Sequence, residues 1–401
     1  MPHGPRTLPS LSFALPGFTR TGMQRLIAAA GFFLLGIAGN SMADPAPGSH
    51  DAAFSDAGLF KADASTLKDT HLVAHPATAL DPHTNVIWCG TLQLCWNKAI
   101  NLVGEKLHFT TSSPVADFLN QEDFTAADLD PSSYVAIADF EKNHVEDEIR
   151  AALQKTFHGD ASPELIPPTP PNPGPDDFVA YSYLFKNLAF AHVFSDQVTL
   201  DFPDQPVECF GFDGDHRVED ARSQVTICDY QSDDNFVIRI ATKSPNDELI
   251  LAKVQPGATL AETISNVLQR VAHGSPANLT DRDSLAVPKL NFDLRRDFPE
   301  LEGLVLAPTP AAKIHAPIPL VISKAEQLVR FQLNEKGAIL KSEAVIMMPA
   351  GAMAPQFEPP SHQLIFNAPF LLLLRQTSAP QPYLALWIGN MTLLQPKAAS
   401  N

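Results

Sequence analysis

The sequence predicts an α+β protein, and three observations carry that expectation. Two amphipathic helix patterns lie before residue 160, and short apolar or alternating runs bounded by Asp, Gly and Ser fill the second half. A proline-rich stretch separates the two regions, so helices come first and strands follow.

The N-terminus reads as an address. Leu26 to Gly39 is an uncharged apolar run preceded by Arg25 and followed by Ser41-Met42-Ala43. A positive start, a short apolar middle and small residues at the minus-three and minus-one positions predict a signal peptide over 1–43, cleaved after Ala43. A start at Met23 would give it ordinary proportions. The run is shorter than the roughly 20 residues that span a bilayer, so an exported protein, periplasmic or extracellular and off the membrane after cleavage, is expected. Residues 44–80, rich in Ala, Asp and His, are expected to be loosely ordered, and 81–401 to form a single domain.

Trp88 to Val103 places Trp88, Leu92, Cys95, Trp96, Ala99 and Val103 at helical spacing, which predicts a core helix. Asn143 to His158 repeats the pattern with Val145, Ile149, Leu153 and Phe157; Asn143 is its expected N-cap and Gly159 sits just past its end. Residues 163–177 (PELIPPTPPNPGPDD) predict a stiff connector. Strands are expected at 178–185, 207–212, 225–230 and 236–242. Thr259 and Glu262 form a capping box that opens a helix through Val271, with Leu260, Ile264, Val267, Leu268 and Val271 facing inward. Further strands are expected at 284–294, 319–333, 342–348, 364–375 and 383–391.

Composition bounds the function. The 401 residues include 28 Lys and Arg against 45 Asp and Glu, a net charge of −17. The presequence holds Arg6, Arg20 and Arg25 and no acid, which leaves 25 basic against 45 acidic residues in the mature chain, or −20. Nucleic-acid binding needs clustered cations and is not expected. With 45% hydrophobic residues and 36 prolines against 20 glycines, the chain is neither collagen, coiled coil, multispan membrane protein nor wholly disordered. In an oxidising compartment its four cysteines can pair. Cys209 and Cys228 flank two strand-like runs joined by an acidic turn, a candidate cross-hairpin disulfide worth about 3 kcal/mol. Cys89 and Cys95, six apart on the expected helix, should not bridge each other.

No catalytic signature is present: there is no Gly-x-Ser-x-Gly, no His-Glu-x-x-His and no phosphate-binding loop. His71 and His75 stand four apart but lack a third ligand and meet Pro76 at once. The acidic knot around Gly214 lacks the spacing of a calcium loop. Neither a metal nor a cofactor is expected, and the protein is not expected to be an enzyme.

The last seventy residues carry a resemblance. Asn334-Glu335-Lys336-Gly337 follows a strand-like run ending in Leu333; later come Phe366-Asn367-Ala368-Pro369-Phe370, an apolar run, and Leu386-Trp387-Ile388-Gly389. This resembles the C-terminal signature of the serpins, in which an Asn/Asp-Glu-x-Gly hinge precedes an exposed reactive loop and a Phe-Asn-x-Pro-Phe motif opens a buried strand. Val287-Pro288-Lys289-Leu290-Asn291-Phe292 resembles the serpin Pro-Lys-Phe strand, Tyr183-Leu184-Phe185-Lys186 their Tyr-Phe-Lys segment, and Asn85-Val86-Ile87-Trp88 the start of an early helix. The resemblance implies helices packed on large mixed β-sheets, an exposed long loop over 338–362, a peptidase or other protein as partner, and a hinge at Glu335, Lys336, Gly337 and Ala338. It implies cleavage near Gly351 counting from the hinge, or near Glu358 counting from Phe366; the Pro359-Pro360 pair favours Gln356, and Met353 and Phe357 belong to the same charge-poor stretch.

In an inhibitory serpin the cleaved loop enters a sheet as a new strand. Alternation here puts Ala338, Leu340, Ser342, Ala344 and Ile346 on one face and Ile339, Lys341 and Glu343 on the other. One face can be buried. The unbroken run of small Thr and Ala residues that speeds insertion is absent, which implies a non-inhibitory descendant as readily as an inhibitor. The alternative is an exported binding or structural module without inhibitory activity.

Overall fold

Four strand segments are buried along nearly their whole length, and they form the centre of the molecule: β3 (Asn85–Cys89), β12 (Asp247–Lys253), β19 (Phe370–Gln376) and β20 (Pro382–Ile388). Such strands need cover on both faces, because neither face carries a polar stripe. The computed structural model describes residues 56–397 apart from 160, 162, 167, 214–218, 309–312, 315–318 and 340–361. The expected signal peptide, the strand at 342–348 and the cleavage region with Gly351, Met353, Gln356, Phe357 and Glu358 lie outside the described residues.

The central strands belong to an eight-stranded sheet completed by β2 (Thr70–Leu72), β10 (Val225–Ser232), β11 (Asn235–Ala241) and β13 (Ala277–Asn278). Its order is β13-β10-β11-β12-β19-β20-β3-β2, antiparallel except for β2 against β3. A five-stranded sheet runs β1 (Phe60–Asp63), β15 (Leu290–Asp297), β16 (Glu326–Asn334), β17 (Gly337–Ile339), β6 (Asn187–Ala189), with β1 parallel to β15. Smaller sheets are β18 (Gln363–Ile365)-β14 (Ser284–Pro288)-β9 (Cys209–Phe212), the pair β4 (Tyr134–Phe140)-β5 (Phe178–Leu184), and the pair β7 (Leu200–Asp201)-β8 (Pro206–Val207). Helices α1 (Thr91–Val103), α2 (Pro114–Leu119), α3 (Val145–Phe157), α4 (Glu219–Ser223) and α5 (Leu260–His273) pack on these sheets, giving an α+β architecture with large mixed sheets. Among the described residues no helix is long and apolar enough to cross a membrane.

The helices follow their sequence patterns with two corrections. α3 buries Val145, Ile149, Leu153 and Phe157 against Val135 of β4 and Tyr181 of β5. Asn143 does not cap it. That residue's Nδ2 donates to Asp139, and His144, in the left-handed region at φ 60°, precedes the first turn. α1 begins at Thr91 and not at Trp88. Val86 and Ile87, β-branched and paired with β20, hold 85–89 as a strand, so Trp88 packs edge-on against Phe124 while Trp96 sits on the helix. α5 is capped by Thr259 Oγ1, which accepts from the Glu262 amide at 3.1 Å; the Glu262 carboxylate reaches back to the Ala258 amide at 2.8 Å.

The expected Cys209–Cys228 bridge does not form. β9 pairs with β14 and β10 with β11, so the two residues belong to different sheets and are not partners across a hairpin. All four cysteines are free thiols; Cys209 Sγ donates to the Val198 carbonyl at 3.2 Å. Nor do the longer strands on the two sides of residues 340–361, β16 before β17 and β19 after β18, pair with each other. β16 joins β15, whereas β19 lies between β12 and β20 in the other large sheet.

Candidate functional site

The chain reverses direction at the end of β16. Asn334 Oδ1 accepts the Lys336 amide at 2.9 Å, closing a tight turn, and Gly337 returns the backbone alongside β16. At φ +153°, with an added Cβ only 2.6 Å from the Leu188 carbonyl oxygen, glycine alone fits there. Gly337, Ala338 and Ile339 pair with Asn334, Leu333 and Gln332 on one side and with Ala189, Leu188 and Asn187 of β6 on the other. β17 is thus a three-residue strand held on both edges.

The four expected hinge residues come together in this turn, each with its own contact. Glu335 forms a mostly buried ion pair with Lys289 of the Pro-Lys-Phe-like run, at 2.8 Å. The Glu335 and Lys336 carbonyls accept the amides of Phe194 and Phe190 at 2.9 and 2.8 Å. Ala338 is buried between Leu188 and Leu333, where a larger side chain would overpack the core.

Ile339 is the last described residue of β17, and its two partner strands lead on into two walls. β6 leads back in sequence to β5, β16 leads back toward Glu326, and β5 and β16 are not paired with each other. Between them lies a cavity of about 990 Å³. Its walls include Val179 to Phe185 on one side and Gln327 to Arg330 on the other. Thr91, Leu92 and Cys95 of α1 also line it, as do Pro170, Gly174 and Pro175 of the proline-rich connection.

The first turn of α1 touches both walls. Thr91 Oγ1 accepts from Gln327 Nε2 on β16 at 2.7 Å, and the Thr91 carbonyl accepts from Ser182 Oγ on β5 at 2.6 Å. Gln327 Nε2 also reaches the Cys89 carbonyl at 3.0 Å, and Cys95 Sγ donates to the Ala180 carbonyl of β5 at 3.0 Å. Burial pushes the Cys95 thiol up to about 12, so it stays a weak donor and not a nucleophile. At the junction of β5 and β6, buried Lys186 pairs with Asp247 of β12 at 2.9 Å. Tyr383 and Ser244 donate to the same carboxylate at 3.1 and 2.7 Å. This hub fixes the point where the groove wall meets the large sheet.

The sequence signals the run Asn334 to Gly337 but not Thr91, Ser182, Gln327 or the Lys186–Asp247 pair. Isolated polar residues inside apolar runs carry no local pattern; only Lys186, in the Tyr-Leu-Phe-Lys segment, offered a signal. Among the described residues no group of three or more metal-ligating side chains is present. His75 stacks on Phe118 at 4.1 Å, and its Nδ1 is buried without a hydrogen-bond partner.

No family model and no curated protein matches the chain. Solved structures do. Human thyroxine-binding globulin complexed with thyroxine is 14% identical, with 77% of this chain and 92% of that one covered, at a TM-score of 0.44. Serpin48 of the insect Tenebrio molitor, a highly specific serpin, is 13% identical over 76% of this chain and 92% of its own, at 0.42. Mouse protein-Z dependent protease inhibitor is 14% identical over 76% and 91%, at 0.44. The chain is similar to serpins. The serpin-like hinge read from Asn334 to Gly337 is the turn that carries β16 into β17, and the serpin-like Phe-Asn-x-Pro-Phe motif leads into β19.

Proposed function

We propose that this is an exported, serpin-like, peptidase-binding protein whose chain beyond β17 is cut and then taken up as an added strand between β5 and β16. The observation that carries this reading is β17 itself, already paired on both edges at the head of a groove with strand walls. Continuing the β16–β17 register sets Leu340 beside Phe331, Ser342 beside Val329 and Ala344 beside Gln327, all three wall residues facing the core. Lys341 and Glu343 then face outward beside Arg330 and Leu328. Each main-chain hydrogen bond so gained contributes about 1 kcal/mol.

The same register favours slow uptake. Leu340 and Lys341 are bulky residues at the first positions to enter, and a slow step lets the cutting peptidase leave before it is held. The reading therefore covers a non-inhibitory member as well as an inhibitor.

The test is limited digestion with a chymotrypsin-like peptidase, chosen because the stretch 351–358 is rich in apolar residues and poor in charge. Cleavage within 345–360 is expected to raise the melting temperature by about 10 °C or more. An SDS-resistant peptidase complex marks an inhibitor, and its absence with the same rise marks a non-inhibitory member. An unchanged melting temperature after complete cleavage overturns strand uptake.

A further inference from the structure

The connection from α3 to β5 runs along the groove, with Glu164, Pro170 and Pro175 against the cavity. Part of it is fastened to its own wall. The Thr169 amide donates to Glu146 of α3 at 2.9 Å, and Lys142 donates to the Pro175 carbonyl. Glu164 instead reaches the opposite wall, with its carboxylate 3.6 Å from Lys61 Nζ on β1. β1 is hydrogen-bonded to β15, which pairs with β16 along eight residues, so Lys61 moves with the β16 side. Its ammonium is fixed by Asp293 of β15 at 3.0 Å, a carboxylate only 1% exposed.

We infer that the Lys61–Glu164 ion pair is an electrostatic latch across the groove, which makes admission of a strand depend on ionic strength. The inference rests on the strand-uptake reading above. Neighbouring strands sit about 4.8 Å apart, so a new strand either spreads the two walls or lifts the connection from the outer face. Either motion separates Glu164 from Lys61. Both side chains are half exposed or more, at 60% and 50%, so salt screens the pair. Nearby charges are Asp293 beside Lys61 and, in register with Asp293 on the next strand, Arg330, which pairs with Asp56 at 2.7 Å. None of these is altered by changing Glu164.

The test uses the full mature chain and a fluorescein-labelled peptide of residues 340–348 (LKSEAVIMM), whose side chains sum to zero charge. Uptake is followed by polarisation in low and high sodium chloride. Glu164→Gln is expected to take up the peptide about two- to fivefold faster than wild type at low salt, the range an exposed pair supports. Glu164→Lys, which sets two cations side by side, should be faster still. As salt rises the three rates should converge, wild type accelerating relative to Glu164→Gln and Glu164→Lys slowing relative to it. Three parallel salt curves, or equal rates at low salt, overturn the latch while leaving strand uptake intact. No uptake by any of the three proteins, at either salt, overturns the strand-uptake reading and the latch with it.

Discussion

Gln327 on β16 donates its side-chain amide to Thr91 Oγ1 at the start of α1, at 2.7 Å, from a position 4% exposed. One helix turn thereby holds the β16 wall of the groove, while the same residue's carbonyl holds Ser182 on the β5 wall. Removing the hydroxyl alone leaves the carbonyl contact in place. Thr91→Val is expected to cost about 1 kcal/mol and to lower the melting temperature by about 1–2 °C. It should also speed uptake of the 340–348 peptide. A variant that is less stable yet no faster would show that Thr91 serves packing alone.

Gly337→Ala sets a methyl against the Leu188 carbonyl in a backbone conformation that L-residues rarely adopt. The expected cost is about 1–3 kcal/mol, concentrated in β17. Amide hydrogen exchange should show lost protection at Ala338 and Ile339 with the β19 and β20 amides still protected. Uniform loss across both sheets would contradict a local role for the glycine.

Thiol titration in denaturant without reductant distinguishes the two readings of the cysteines. Four reactive thiols are expected from the free Cys89, Cys95, Cys209 and Cys228. Two would show one bridged pair, and peptide mapping would then tell whether it is Cys209–Cys228. In the native protein Cys95 should resist alkylation at pH 8, because burial holds its thiol near 12.

His75 gives the molecule an acid-side weakness. Burial against Phe118 lowers its pKa below the ordinary 6.5. The unfolded chain therefore binds the proton more readily, so the stability contributed by neutral His75 is complete above about pH 6.5 and is lost as pH falls toward the folded value. Melting curves between pH 7.5 and 5 should show a steeper decline for wild type than for His75→Phe, which keeps the stacked ring. Equal slopes would remove His75 as the cause.

What the sequence made legible was whatever repeats at short range. The stripe Val145, Ile149, Leu153, Phe157 announces a helix and forms it, whereas Asn334 to Gly337, read as a hinge by resemblance, lies in the turn from β16 to β17. β12 was invisible for the opposite reason. Asp247, Glu248 and Lys253 look like surface charges, yet all three are buried because Lys186, Arg375 and Asp234 neutralise them from distant parts of the chain. Trp88 misled through coincidence: four residues before Leu92 it fits a helix, but pairing with β20, some three hundred residues later, makes it part of a strand. The groove belongs to this second class. Its walls and outer connection come from residues 91–95, 164–185 and 327–330, three stretches far apart in the chain, and no short window of sequence contains more than one of them.

The short strand Phe60–Asp63 also bears on how the molecule behaves in company. Lying parallel along the outer margin of β15, it covers main-chain groups that would otherwise template a foreign strand, and it carries a charged residue at both Lys61 and Asp63. Trimming the N-terminal arm past residue 63 should therefore make the protein self-associate and cloud on gentle warming.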